Sequence, residues 1–98
     1  MNFGLPEHIF HSIIKKLNET ENVTRAVIFG SRTREDHAYN SDIDLAIYCE
    51  GRLPAGLRLD LDEAAGIYKV DVIDMSNPLD DTLRQRIEEQ GAEIYRRN

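Results

Sequence analysis

Apolar residues recur along this chain first at a helical interval, then in alternation, then at a helical interval again, and each change of period marks an element. Ile9, Phe10, Ile13, Ile14 and Leu17 share one side of a 3.6-residue period, and Pro6 suits a first-turn position. Residues 6–19 therefore predict an amphipathic helix. Polar residues 18–22 end the pattern. Residues 25–29, Arg-Ala-Val-Ile-Phe, form a short apolar run stopped by Gly30, which predicts a buried strand ending in a tight turn. Beyond the charged segment 31–40 the period becomes two. Asp42, Asp44, Ala46 and Tyr48 fall on one face of a strand over 42–49, and Ile43, Leu45, Ile47 and Cys49 on the other.

Gly51, Pro54 and Gly56 turn the chain over 50–56. A second helix is expected over 57–68, weakened by Gly66, and a third strand over 69–74. Ser-Asn-Pro at 76–78 reads as a helix entry, Leu79, Leu83 and Ile87 as that helix's apolar stripe, and Gly91 as its cap. Residues 92–95 suit a short edge strand. The order α, β, β, α, β, α, β predicts an α/β (α+β) fold, a small mixed sheet covered by helices. With 98 residues and no repeat, linker or low-complexity stretch, residues 1–98 are expected to be a single domain.

Composition narrows the function. At 41% apolar and 31% charged residues, the chain has a soluble globular make-up, and no window is long and apolar enough to cross a bilayer. The start, MNFGLPEHIF, lacks the basic-then-apolar pattern of a secretory signal, so a cytoplasmic location is expected. The lone Cys49 lies in an apolar stretch and reads as a buried structural thiol. A net charge of −6 argues against a broad basic face for duplex nucleic acid, so any phosphate contact is local.

Candidate chemistry concentrates at Gly30-Ser31, ten residues, then Asp42-x-Asp44. Glycine lets the backbone turn sharply and approach a ligand, and a following helix start presents N–H groups to phosphate. Ser31 adds a hydroxyl. Two aspartates two apart on a strand project from one face and can hold Mg²⁺ or Mn²⁺ through hard oxygen ligands. Asp71, flanked by Val70 and Val72, is the best third ligand and a candidate general base, because a charge in such a strand is costly without a partner. Asp74, three residues on, ranks below it. The expected ligands are a nucleoside triphosphate and a divalent metal.

Gly30-Ser31-Arg32, the spacer, and Ser41-Asp42-Ile43-Asp44-Leu45 resemble the signature of the DNA polymerase β-like nucleotidyltransferases, most closely the minimal nucleotidyltransferases. The resemblance extends from the leading helix through Val70-Asp71-Val72 to Glu93-Ile-Tyr95. It implies the polymerase β-like fold and metal-dependent transfer of a nucleotide. In the matching positions Gly30 and Ser31 would grip the triphosphate, Asp42 and Asp44 would bind metal, and Asp71 would complete the site. Arg32, beside Ser31, is a candidate phosphate contact. Glu35 stands where relatives usually carry glycine, a departure that touches the spacer's geometry and not the metal site. Many minimal members bind a small all-helical HEPN-type protein encoded beside them, and several are antitoxins that move AMP from ATP to a tyrosine of that toxin. The same activity and partner are expected here, and the small size agrees, since little surface is left to enclose an acceptor. The alternative is a binding module that neutralises a HEPN partner by contact without chemistry. Transfer to a small molecule is a third option, but antibiotic-modifying relatives usually carry an added substrate domain.

Other features read as structural. His8 and His11 have no third ligand and are expected at the surface. Arg34 lies in a polar loop, where surface arginines are common. Arg32, His37 and Tyr39 reproduce a spacing that resembles the HEPN ribonuclease motif, but here the spacing is nested between two strands and reads as coincidence. The Leu79, Leu83, Ile87 stripe reads as core in preference to a partner-binding groove.

Overall fold

Strands β1 (Val23–Phe29), β2 (Ile43–Cys49), β3 (Val70–Asp74) and β4 (Ala92–Arg96) form one mixed sheet in the order β3-β2-β1-β4. The computed structural model describes residues 2–34 and 41–97. The expectations placed on Glu35, His37 and Tyr39 lie outside the described residues. β1 runs antiparallel to both its neighbours, and β2 pairs parallel with β3. A parallel pair needs a crossover, which helix α2 (Leu57–Ala64) supplies. Helices α1 (Glu7–Glu19) and α3 (Asp81–Gln90) complete the set, with a 3₁₀ turn at Gly30–Thr33.

The alternation in β2 sorts the two layers. Ile43, Leu45 and Ile47 are fully buried with Ala26 and Ile28 of β1, Val70 and Val72 of β3, and the inner stripes of two helices. Those stripes are Ile9, Ile13 and Leu17 of α1 and Leu57 and Leu61 of α2. The opposite face carries a smaller cluster of Val27, Phe29, Ala46, Met75 and Ile87, against which Leu79 and Leu83 pack. Ile87 of the expected stripe is therefore core, while Leu83 and Leu79 are only partly buried and Leu79 lies ahead of the helix. Among the described residues a single ten-residue helix spans that second face and leaves it only partly covered.

Several element ends differ from expectation, each for a local reason. The helix expected over 57–68 stops at Ala64, where the amides of Ala65 and Gly66 turn back to the carbonyls of Leu61 and Glu63. The last helix starts at Asp81, later than Ser-Asn-Pro suggested; residues 75–77 form a separate turn in which the Asp74 carboxylate accepts from both the amide and the hydroxyl of Ser76. Cys49 is half-buried at the end of β2 and packs against the larger core; burial raises its thiol pKa. Among the described residues, no helix is long and apolar enough to cross a membrane.

Gly91 follows α3 as expected, but not in the left-handed conformation of a usual cap. Its φ is −75° and ψ 157°. Glycine is required there because a Cβ would collide with Val27 Cγ1 and the Ile87 carbonyl oxygen. The close approach lets α3 turn directly into β4, with Ala92 opposite Ile28. A Gly91→Ala change would gain about 0.4–1 kcal/mol from the stiffer unfolded chain, against about 1–3 kcal/mol for overpacking. Overpacking wins, so chemical denaturation of Gly91→Ala is expected to show a net loss of about 1–2 kcal/mol; equal or greater stability would contradict the close approach.

Candidate active site

Three strand ends meet at one end of the sheet. Because β1 is antiparallel to β2 while β3 is parallel to it, the last residue of β1 and the first residues of β2 and β3 come together, with Phe29 opposite Asp44 and Asp44 opposite Asp71. Ile43 and Leu45, like Val70 and Val72, take the α1/α2 face. Strand alternation then turns Asp44 and Asp71 to the other face, on neighbouring strands about 4.8 Å apart. Gly30 comes directly after Phe29 at φ +77°, and a Cβ at that position would run into the Asp44 carboxylate. Glycine thus supplies both the left-handed turn and the space that the carboxylate occupies.

This arrangement is electrostatically uncomfortable. The Asp44 pKa is raised, by burial first, then by the charges of Asp71 and Asp42. Lys69 Nζ stands 3.9 Å from Asp71 Oδ1, but the two side chains are 70% and 46% exposed. A pair so exposed contributes about 0–1 kcal/mol and leaves most of the repulsion in place.

The remaining sequence candidates are distributed less evenly. Asp42 is exposed and precedes the first ladder residue of β2, so it acts on Asp44 through its field without standing beside Asp71. Among the described residues, no three His, Cys, Asp or Glu side chains are gathered closely enough to enclose an ion. Ser31 sits in the 3₁₀ turn, whose carbonyls are held from within: Thr33 Oγ1 donates to the Gly30 oxygen at 2.7 Å and the Arg34 amide to the Ser31 oxygen at 3.0 Å. A cavity of about 920 Å³ opens over Gly30, Asp44 and Asp71, bounded also by Phe29, Ile73 and Leu83. Neither Ser31 nor Asp42 lines it. Its other polar lining is Arg34, Arg58, Arg86 and Gln90, of which sequence reasoning had considered Arg34 alone. Arg58 and Arg86 stand on helices outside any motif, so no spacing pointed to them.

Arg32 occupies a different environment from the one expected of a phosphate contact. It is only 2% exposed. Its Nε and Nη2 donate to the Ser41 carbonyl at 3.1 and 2.8 Å, its Nη1 donates to the Phe3 carbonyl at 2.9 Å, and its guanidinium lies 5.1 Å from the centre of the Tyr68 ring. Burial lowers its pKa below the ordinary arginine value, with partial compensation from Tyr68 and Asp42. Hydrogen bonds to a charged group contribute about 1.5–3 kcal/mol each, which is what keeps a guanidinium in this position. Arg32 thus ties the turn after β1 to the chain entering β2 and to the N-terminal segment.

The family model described as Polymerase beta, Nucleotidyltransferase matches residues 11–98. The chain belongs to the polymerase beta nucleotidyltransferase family. Solved structures share its fold. One described as a toxin–antitoxin with AMP-PNP is 26% identical, with a TM-score of 0.73 over 90% of this chain and 73% of that one. An MntA–HepT toxin–antitoxin structure is 24% identical, with a TM-score of 0.70 over 94% and 74%. A tri-AMPylated HEPN toxin of Shewanella oneidensis in complex with an MNT antitoxin gives 24%, 0.67, 91% and 71%. No protein of curated function matches the sequence.

The family implies a divalent cation, and the donor set suits one. Asp44 and Asp71 offer hard oxygen ligands side by side, and the repulsion that raises the Asp44 pKa is what a bound cation would relieve. A raised carboxyl pKa means that the folded nucleotidyltransferase holds the Asp44 proton more tightly than the unfolded chain. Ionised Asp44 therefore costs stability above its folded pKa, and the cost disappears as pH falls through that value. In metal-free protein, Asp44→Asn is expected to melt above the wild type at neutral pH, with the gap closing as pH drops into the carboxylate range. Melting curves of both proteins across pH check this; a gap that is absent or widens in acid contradicts it.

Proposed function

We propose that this nucleotidyltransferase transfers AMP from ATP to a hydroxyl, a tyrosine of a HEPN-type toxin partner, and so acts as an antitoxin. The observation that carries the proposal is the register that sets Asp44 beside Asp71 with Gly30 packed on the Asp44 carboxylate, all three in one cavity. The 26% identical structure described as a toxin–antitoxin with AMP-PNP supports the nucleotide, and the AMPylated HEPN toxin bound to an MNT antitoxin supports the acceptor.

The reaction forms one bond and breaks one. The acceptor oxygen bonds to the α-phosphorus, the bond from that phosphorus to the α–β bridging oxygen breaks, and pyrophosphate leaves with the electron pair. Asp71, half-exposed in the cavity, takes the acceptor's proton. Gly30 allows the backbone to come close to the phosphates, and Ser31 offers its hydroxyl to them. A divalent cation held by Asp44 and Asp71, with Asp42 adding to the field, would supply charge stabilisation at the phosphate oxygens. The acceptor is a partner side chain, since the cavity opens on the half-covered face of the sheet.

Purified protein incubated with labelled ATP, Mg²⁺ and the helical protein encoded beside it is expected to label that protein, and an Asp42→Asn, Asp44→Asn double variant to lower labelling at least about a hundredfold. Toxin neutralisation that survives in the double variant, with no label in either protein, would contradict the enzymatic reading and leave neutralisation by contact.

A further inference from the structure

A triphosphate would bring several negative charges into a cavity that already holds Asp44 and Asp71, within a chain of net charge −6. The Gly30–Ser31 turn offers only neutral donors. Arg32, the cation nearest to it in sequence, is buried and bonded to the carbonyls of Ser41 and Phe3. Beyond what a bound divalent cation would offset, compensating charge is available from the lining of the cavity.

Three arginines line it, and they are not equivalent. Arg34 follows the turn and takes part in another interaction. Arg58 reaches over the free edge of the sheet, where its Nη1 donates to the Val72 carbonyl at 2.6 Å. Arg86 stands on the α3 wall between Leu83 and Gln90, three residues after one and four before the other, so all three share one side of the helix. It is exposed, and among the described residues it has no ion-pair or hydrogen-bond partner. Glu89, three positions on, accepts from Gln85 at 2.9 Å instead. The tight closure at Gly91 brings this end of α3 to the end of the sheet where Gly30 and Asp44 lie.

We propose that Arg86 is a phosphate-binding residue of the nucleotide site, supplying from α3 the cationic contact that Arg32 cannot. The proposal rests on the nucleotidyltransferase reading for the identity of the ligand. Arg86 holds the leaving phosphates against the repulsion of the carboxylate pair, and Leu83 and Ile73 form the apolar ground beside it.

Calorimetric titration of the wild type, Arg86→Ala and Arg86→Lys with Mg-ATP and, separately, with magnesium pyrophosphate tests this without requiring transfer. Loss of one charge-assisted contact is expected to weaken both ligands about tenfold or more in Arg86→Ala, with most of the affinity restored in Arg86→Lys and an unchanged melting temperature. Unchanged pyrophosphate binding in Arg86→Ala would overturn the proposal. In the transfer assay, Arg86→Ala is expected to raise KM for ATP and not KM for the protein acceptor; the reverse pattern would assign the arginine to an acidic acceptor and likewise overturn it. Failure of the enzymatic reading would show separately, as absence of transfer by the wild type.

Discussion

The backbone pairing of β2 with β3 holds two carboxylates together against their own repulsion. Asp44 and Asp71 stand opposite each other because the parallel register pairs Ile43 with Val70 and Leu45 with Val72 in the core, which turns the aspartate between each pair of apolar residues to the other face. A one-residue slip of either strand would turn that strand's aspartate under α1 and α2 and expose its apolar set. The larger core thus fixes the geometry of the site, and the strain shows in the raised Asp44 pKa. Functional sites commonly store cost in this way, offset by packing elsewhere. Here the offset comes from fully buried Leu17, Leu45, Ile47 and Leu61 on the face away from the chemistry.

That division of labour also explains the cover over the site. α1 and α2 close one face of the sheet, while among the described residues α3 is the only helix on the other and fully buries a single residue, Ile87. Open space remains beside it, and the cavity occupies that space. A thicker cover would complete the second core and seal the carboxylates from any acceptor as large as a protein side chain.

Sequence revealed the fold almost throughout, because period and alternation are set by burial, and burial decided these elements. The two faces of β2, the stripe of α1 and the direct passage from α3 into β4 were all legible in this way. The limits of that legibility are physical. Asp42 belongs to the alternation of β2 by count, yet lies ahead of the first paired residue, a boundary set by the partner strand. Arg32 looks like any polar-loop arginine until the chain folds over it, since its partners Phe3 and Tyr68 are 29 and 36 positions away in sequence. Gly91 was legible as glycine but not for its reason, which is the nearness of Val27. Arg58 and Arg86 carried no signal, because a charged residue on an exposed helix face is the ordinary case.

In the proposed mechanism, a divalent cation bound between neighbouring strands gives the Asp44–Asp71 register its purpose. Titration of isotopically labelled protein with Mn²⁺, followed by paramagnetic broadening of backbone amide signals, locates that cation directly. Broadening is expected first at Gly30, Asp44 and Asp71, and at none of these positions in Asp44→Asn at the same Mn²⁺ concentration. Broadening centred elsewhere on the surface, or unchanged by the substitution, would contradict a metal-dependent transfer site at the meeting of β1, β2 and β3.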